Sequence, residues 1–468
     1  MLFTSPDFAL FFFVVFCCYW FVFNRIVKLQ NLFLLLSGYY FYACFDVRFL
    51  LLLVASTAFN FTMGRLLDDN KYVRRKLILT LGILVNAGIL CYFKYLNFFI
   101  ESFHGVLHSA GYNFSYTPIQ LILPLGISFY TFQNISYLTD VYRGHTLSVK
   151  NYLTFSLYLG LFPQLISGPI ERANHLIPQI ESPRIFNYNL AVNGMRLILI
   201  GLFEKIVIAD SCGRIVNEIY QDFTIHSAST LFWNAVLYSF QVYGDFSGYS
   251  HIAIGCSALL GFSIRDNFKY PYLAVNIADF WRRWHISFST WLRDYVFFPL
   301  GGSKKGMLIQ IRNLFIVFVL SGFWHGANAT FIIYGFIHAL FYILYVLWKK
   351  YLIALPSNFV FSFLTGAFTF TVLALARIFF RAQNVTEALH YLNKTFSPDV
   401  FYKPDISRGI IALLFAYLFI EWLQRDKQHV LDISFIKYRA IRYGIYCSLL
   451  FAILYFAGQG KTFLYFRF

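Results

Sequence analysis

Acidic residues are scarce in this chain. Of its 468 residues only 22 are Asp or Glu, against 38 Lys and Arg, and charged residues of both signs amount to 13%. A soluble domain carries about twice that charged fraction, so a soluble globular class is excluded. Cysteine is also sparse: seven residues, most within apolar runs and none in a CxxC, leave no readable disulfide framework. Walker spacing, low-complexity tracts, long polar linkers and internal repeats are all missing. Nucleotide hydrolysis has no motif to support it. The half-to-half repeat common in transporters is absent too. His104 and His108 have ligand-compatible spacing, but no Glu, Asp or Cys accompanies them in a motif, so no metal site is expected.

Apolar and aromatic residues are what the chain has in abundance. Hydrophobic residues make up 59%, and 58 Phe with 34 Tyr suit both acyl tails and membrane interfaces. Apolar runs recur from end to end, which indicates an all-α polytopic membrane protein forming one membrane domain over residues 1–468. The run Phe8 to Phe23 follows no basic cluster and precedes no small-residue cleavage site, so it reads as a retained span. Further runs lie at 29–45, 48–66, 77–100, 118–138, 151–167, 190–209, 228–243, 246–262, 312–348, 358–380, 408–423 and 440–458. They predict about 11–13 membrane segments, some re-entrant or broken.

The net charge of +16 raises nucleic acid as a partner. The basic residues sit instead in short loops, as in the cluster Lys71 to Lys76, where they orient a membrane protein and meet anionic lipid headgroups. No nucleic-acid partner is expected; membrane lipid is. Arg25, Lys28, the 71–76 cluster, Arg143 and Lys150 fall on one side, whereas Ser102 to Tyr116 has no Lys or Arg. That asymmetry places the N-terminus outside the cytoplasm.

His325 constrains function most. It lies in Ser321-Gly322-Phe323-Trp324-His325-Gly326-Ala327-Asn328, inside a stretch from Leu314 to Trp348 without Asp, Glu, Lys or Arg. An ionisable residue there is expensive unless it faces a partner or a water-filled cavity. As one helix the stretch would be about 50 Å long against a hydrocarbon core of about 30 Å, and Ser321-Gly322 is the expected break. A helix starting at Ser321 would aim its positive end at the imidazole and put Asn328 one turn beyond it. Such a His325 is a candidate general base; the alternative is a polar residue gluing two helices together.

A second candidate segment runs from Asp279 to Tyr295. Its helical period puts Trp281, Trp284, Phe288, Trp291, Leu292 and Tyr295 on one face and Arg282, Arg283, Ser287, Thr290, Arg293 and Asp294 on the other, with His285 at the edge. Such a helix anchors at a membrane interface or roofs a polar cavity. Upstream, Gly244 and Gly248 have the spacing that lets helices approach closely, and Asp245 needs a partner, for which Arg282 or Arg283 is expected. Pro299 to Gly306 is a glycine-rich basic loop, either a plain cytoplasmic turn or a surface for an anionic donor. Arg377 and Arg381 end an apolar run and read as snorkelling cations. Glu204 and Lys205 are adjacent, so each needs a separate partner.

Together these segments resemble the membrane-bound O-acyltransferase (MBOAT) family. The likeness is nearest to the bacterial branch containing the alginate O-acetyltransferase membrane subunit and the teichoic-acid D-alanyl transfer protein. It runs through Pro124 to Gln133, Phe162 to Ile170, Asp245 to Ser250, Trp281 to Tyr295, Ser321 to Asn328 and the ending Phe463 to Phe468. The resemblance implies that His325 is catalytic and that His285 belongs to the same functional region. It also implies a thin, water-accessible core in a multi-pass protein of the bacterial cytoplasmic (inner) membrane. The chain departs from the pattern at His251, Glu204 and Arg377, which bears on substrate rather than on reaction class.

The implied reaction is acyl transfer from a thioester to a hydroxyl. His325 would take the hydroxyl proton, and His285 or Asn328 would stabilise the oxyanion or orient the acceptor. Trp324, Ser321, Asp245, Arg282 and Arg283 complete the candidate site. Acetyl-CoA, or an acyl-carrier thioester, is the expected donor, with no bound cofactor. The expected acceptor is an exported polysaccharide or an extracytoplasmic acetyltransferase partner. D-alanyl transfer from an acyl-carrier protein is the alternative within the enzyme class, and a polysaccharide or lipid transporter the alternative outside it.

Overall fold

Within a bilayer every backbone N–H and C=O has to be satisfied inside the chain, so long apolar runs fold as helices. The computed structural model describes residues 1–68, 74–112, 119, 121–352, 358–427, 431–433 and 435–457. Among the described residues every regular element is a helix. Six of these are long and apolar enough to cross a membrane: Val47–Asp68, Arg75–Ser109, Met307–His325, Ala329–Tyr351, Phe359–Arg381 and Arg439–Phe456. A shorter apolar helix, Pro6–Cys17, continues as the π turn Cys18–Val22. The protein is therefore an all-α, multi-pass membrane protein. Residues 71–73 of the basic cluster and the ending Phe463 to Phe468 lie outside the described residues.

The chain divides into two compact units, Met1–Gly194 with Ala253–Arg265, and Met195–Ile252 with Asp266–Phe468. In the first, small residues and amides hold helices together. A Cβ on Gly38 would sit 2.1 Å from the Gly160 carbonyl oxygen, so only glycine permits that crossing. Asn60 and Asn86 exchange side-chain hydrogen bonds of 3.1 and 2.7 Å between Val47–Asp68 and Arg75–Ser109. Asn134 adds a bond of 3.2 Å to Ser56. Such interhelical bonds contribute about 0.6 kcal/mol each in lipid. Arg75–Ser109 extends beyond the expected run, taking in His104 and His108. Arg184 donates to Tyr19, Gln30 and Asn31, tying the segment after Ala173–Glu181 to the first two helices of the unit.

In the second unit the dominant feature is a hairpin of Met307–His325 and Ala329–Tyr351. A Cβ on Gly322 would lie 2.2 Å from the Phe331 oxygen, and one on Gly335 2.4 Å from the Phe318 oxygen. The two backbones thus touch. Leu314, Phe318 and Ala339 form the buried centre of the contact, with Trp281, Phe297 and Tyr342 packed on it. The runs 228–243 and 246–262 are not separate spans but a single helix, Ala228–Leu259. Gly244 and Gly248 do not break it. They admit the backbone of the 201–205 segment, whose Gly201 and Glu204 oxygens would lie 2.6 and 2.8 Å from added Cβ atoms.

Candidate active site

The long charge-free stretch is broken four residues later than expected. Met307–His325 is one helix through Ser321-Gly322, and the turn falls at Gly326 to Asn328. Gly322 serves close packing against Phe331 rather than breaking the helix. His325 is therefore the last residue of its helix, next to the end that carries the partial negative charge. The dipole argument for a neutral imidazole does not hold there. Asn328 caps the following helix, accepting from the Thr330 amide at 3.0 Å and donating to the Gln383 oxygen at 2.8 Å. It lies on no shared helical face with His325.

His325 is buried in a box of rings. Its centroid lies 4.7 Å from Trp324, 5.0 Å from Phe380 and 6.2 Å from Tyr334. Trp324 in turn packs on Phe288 at 4.2 Å, the rings tilted by 31°, and lies 5.9 Å from His285. The two histidines therefore flank one indole.

His285 is not at the edge of a continuous helix. It is the junction between Ile277–Arg283 and Ile286–Leu292, with φ 43° and ψ 55°. This left-handed conformation is uncommon for a residue with a Cβ. What holds it is a polar clamp. His285 Nδ1–H donates to Asn267 Oδ1 at 3.0 Å, and the same oxygen accepts from the Ser287 hydroxyl at 2.9 Å. The Ile286 amide donates to the Asn267 carbonyl at 2.8 Å. The proton on Nδ1 leaves Nε2 with its lone pair in the neutral ring. Burial pushes the pKa of His285 down to about 3, so the neutral form prevails at physiological pH.

A cavity of about 900 Å³ is lined by Ile286 and Ser321, sequence neighbours of the two histidines, and not by His285, Trp324 or His325 themselves. Ser321 lies one turn before His325, and Trp281 also lines the cavity. Arg282, Arg293, Lys349 and Lys350 also line it and make it cationic. The glycine-rich loop contributes Ser303. Its shape depends on Gly301, Gly302 and Gly306, all at positive φ, and on Asn313, whose side chain donates to the Gly302 oxygen at 3.0 Å.

Other expected members lie elsewhere. Asp245 pairs with Lys205 at 2.6 Å, not with Arg282 or Arg283. Arg283 pairs with Asp279 at 3.0 Å. Arg282 donates to the Ala278 oxygen at 3.2 Å and lines the cavity. Glu204 and Lys205, adjacent in the π segment Phe203–Ala209, do have separate partners. Glu204 accepts from Ser247 and His251 at 2.8 Å each and from Tyr417 at 3.0 Å. Lys205 bridges Asp245 and Asp210.

Sequence reasoning passed over four residues here. Asn267 sits in a loop without periodicity. His338 lies in the same charge-free stretch as His325 and carried the same signal. Phe380 is one of many aromatics. Arg377 was read as snorkelling, yet it is 2% exposed, with its guanidinium 4.9 Å from the Trp284 ring and 5.3 Å from that of Tyr272. Among the described residues no three His, Cys, Asp or Glu cluster as metal ligands.

Comparisons with known proteins show the family. The family profile of the membrane-bound O-acyltransferases matches residues 138–419. A probable alginate O-acetylase, AlgI, of Pseudomonas putida is 36% identical over 431 residues, covering 89% of this chain and 86% of that protein. A peptidoglycan O-acetyltransferase of Helicobacter pylori is 34% identical over 426 residues, 84% of this chain and 79% of the relative. A teichoic acid D-alanyltransferase of Bacillus subtilis is 33% identical over 264 residues, 52% of this chain and 64% of the relative. With its helical membrane architecture and buried histidine core, this chain belongs to the membrane-bound O-acyltransferase family and is an O-acyltransferase.

Proposed function

We propose that the protein transfers an acetyl group from a cytoplasmic thioester to a hydroxyl of an exported polysaccharide, or to an extracytoplasmic partner that completes the O-acetylation. The observation that carries this reading is the cationic cavity with Ser321 in its wall, one helical turn from His325. Arg282, Arg293, Lys349 and Lys350 suit the phosphates of acetyl-CoA or the acidic surface of an acyl-carrier protein. By the positive-inside rule this cationic face is cytoplasmic, in a bacterial inner membrane.

His325 acts as the base. The acceptor oxygen attacks the thioester carbonyl carbon while its proton passes to His325. The C–S bond then breaks, and the departing thiolate takes the proton back from the imidazolium. His285, held neutral with Nε2 as acceptor, orients the acceptor hydroxyl rather than donating to the oxyanion. Trp324 contacts both imidazoles, its ring centroid 5.9 Å from that of His285 and 4.7 Å from that of His325. Asn328 supports the site at one remove, through the turn that follows His325.

The test is acetyl-CoA labelled in the acetyl group, incubated with purified wild type and with His325→Ala. Label transfer or donor hydrolysis lost only in the variant supports the assignment. Equal activity in both overturns the role of His325. Activity only with an aminoacylated carrier protein favours D-alanyl transfer, toward which the Bacillus relative points.

A further inference from the structure

Arg377 is the largest fully buried side chain of the described residues. Its guanidinium lies against three rings, with Cζ 4.9 Å from the Trp284 centroid, 5.3 Å from Tyr272 and 5.9 Å from Phe280. No described residue accepts a hydrogen bond from Nη1 or Nη2, and no described carboxylate forms an ion pair with it. Ring contacts engage the charge of the cation but accept no hydrogen bond from Nη1 or Nη2, so these N–H donors are what the protein leaves for recognition.

His338 shares the Phe280 ring with Arg377. Its centroid is 6.5 Å from Phe280, 5.2 Å from Trp281 and 4.4 Å from Tyr334. It is 2% exposed, and neither ring nitrogen has a partner among the described residues. The hydroxyl of Tyr238, equally buried and on the residue before Ser239, whose oxygen accepts from Tyr272 at 2.5 Å, has none either. Native proteins pair almost all such atoms, so several within one aromatic enclosure point to a ligand. The place is next to the reacting core, since Phe380, one turn after Arg377, packs on His325 at 5.0 Å.

We propose that Arg377, with His338 and Tyr238, forms a binding site for a carboxylate. One buried guanidinium is balanced by one negative charge; a phosphate dianion would leave an excess charge, and a neutral carbonyl would leave the cation uncompensated. A planar carboxylate matches the two Nη donors in a fork, and its remaining lone pairs accept from the imidazole N–H and the phenol. Two sources present this group: a free acetate-sized anion, or a uronic acid unit of the acceptor saccharide. The site is defined by binding, so it stands or falls separately from the acyl-transfer reading.

The experiment follows thermal unfolding of the full-length protein in detergent by intrinsic fluorescence. Sodium acetate, sodium glucuronate, sodium phosphate and sodium chloride are titrated at matched ionic strength. The wild type is expected to be stabilised saturably by a carboxylate and not by chloride. Arg377→Met should need at least tenfold more ligand for half the shift, and Arg377→Lys, which keeps the charge without the fork, should fall between. Response to acetate alone identifies a small free anion; response to glucuronate identifies a saccharide carboxylate. Equal titrations in wild type and variants, no saturable shift with either carboxylate, or a larger response to phosphate would overturn the proposal. Should Arg377→Met fail to unfold cooperatively, Arg377→Lys carries the comparison, and an unchanged titration in it counts against the site.

Discussion

Two buried polar regions of the second unit, Met195–Ile252 with Asp266–Phe468, are built on opposite rules. Around the π segment Phe203–Ala209, charge meets charge: Lys205 bridges Asp210 and Asp245, and Glu204 is bound by Ser247, His251 and Tyr417. Around Trp324 the neighbours of His285, His325, His338 and Arg377 are chiefly aromatic rings. The first region closes on itself and holds helices in place. The second surrounds its imidazoles and guanidinium with rings in place of countercharges. The contrast teaches that buried polar groups can be held by opposite means, by ion pairs in one region and by ring packing in the other.

The sharpest way to break the contrast is His325→Ala. Transfer should fall by about 10²–10⁴-fold, the usual contribution of a general base, as measured by label transfer from the acetyl donor. A protein that folds and works without this imidazole would make the ring-lined region ordinary packing.

Lys205→Met addresses the other side. Removing the cation strands two buried carboxylates and should cost roughly 3–5 kcal/mol of stability, read from chemical unfolding in detergent. Arg377→Met should leave stability unchanged or raise it, because no protein carboxylate is stranded. The same sign for both substitutions would erase the distinction.

Acidification probes the aromatic side through His285. Its pKa is about 3 when folded, against an ordinary 6.5, so below pH 6.5 the unfolded chain binds a proton that the folded chain does not. Its stabilising contribution is complete above pH 6.5 and is lost as pH falls toward 3, by about 1.4 kcal/mol per pH unit. Unfolding midpoints between pH 7 and 4, compared with His285→Gln, should show the slope flattened in the variant.

Smaller effects sharpen the geometry. Gly322→Ala pushes a methyl into the Phe331 carbonyl and should destabilise the hairpin by about 1–3 kcal/mol in the same unfolding assay. Asn267→Ala releases His285 Nδ1 and should slow transfer by roughly tenfold, corresponding to the loss of about 1–2 kcal/mol of positioning. An unchanged rate would show that ring packing alone holds His285.

His325 was legible because an imidazole in a charge-free run is costly whatever the fold, a signal that His338 in the same run shared. Trp324 and Ser321 came with it as sequence neighbours, and the structure keeps them at the core and at the cavity. Asp245 was also legible as a residue in need of a partner, but the partner was misassigned. Arg282 and Arg283 were near in motif, whereas Lys205 became near only through the packing of the 201–205 segment on Gly244 and Gly248. His285 looked like a boundary residue because the helical period continues across it, and only the bond to Asn267 reveals the left-handed junction.

What the sequence determined by itself is the class of the protein: apolar runs with few charges fold as membrane helices, since lipid leaves the backbone no other way to bond. Its motifs placed it in a family, and a charge-free stretch made His325 a candidate base. The tertiary structure decided what each polar group faces. Arg377 shows why. A cation near a helix end snorkels to water in one packing and is sealed among Trp284, Tyr272 and Phe280 in another, and that choice rests with elements distant in the chain.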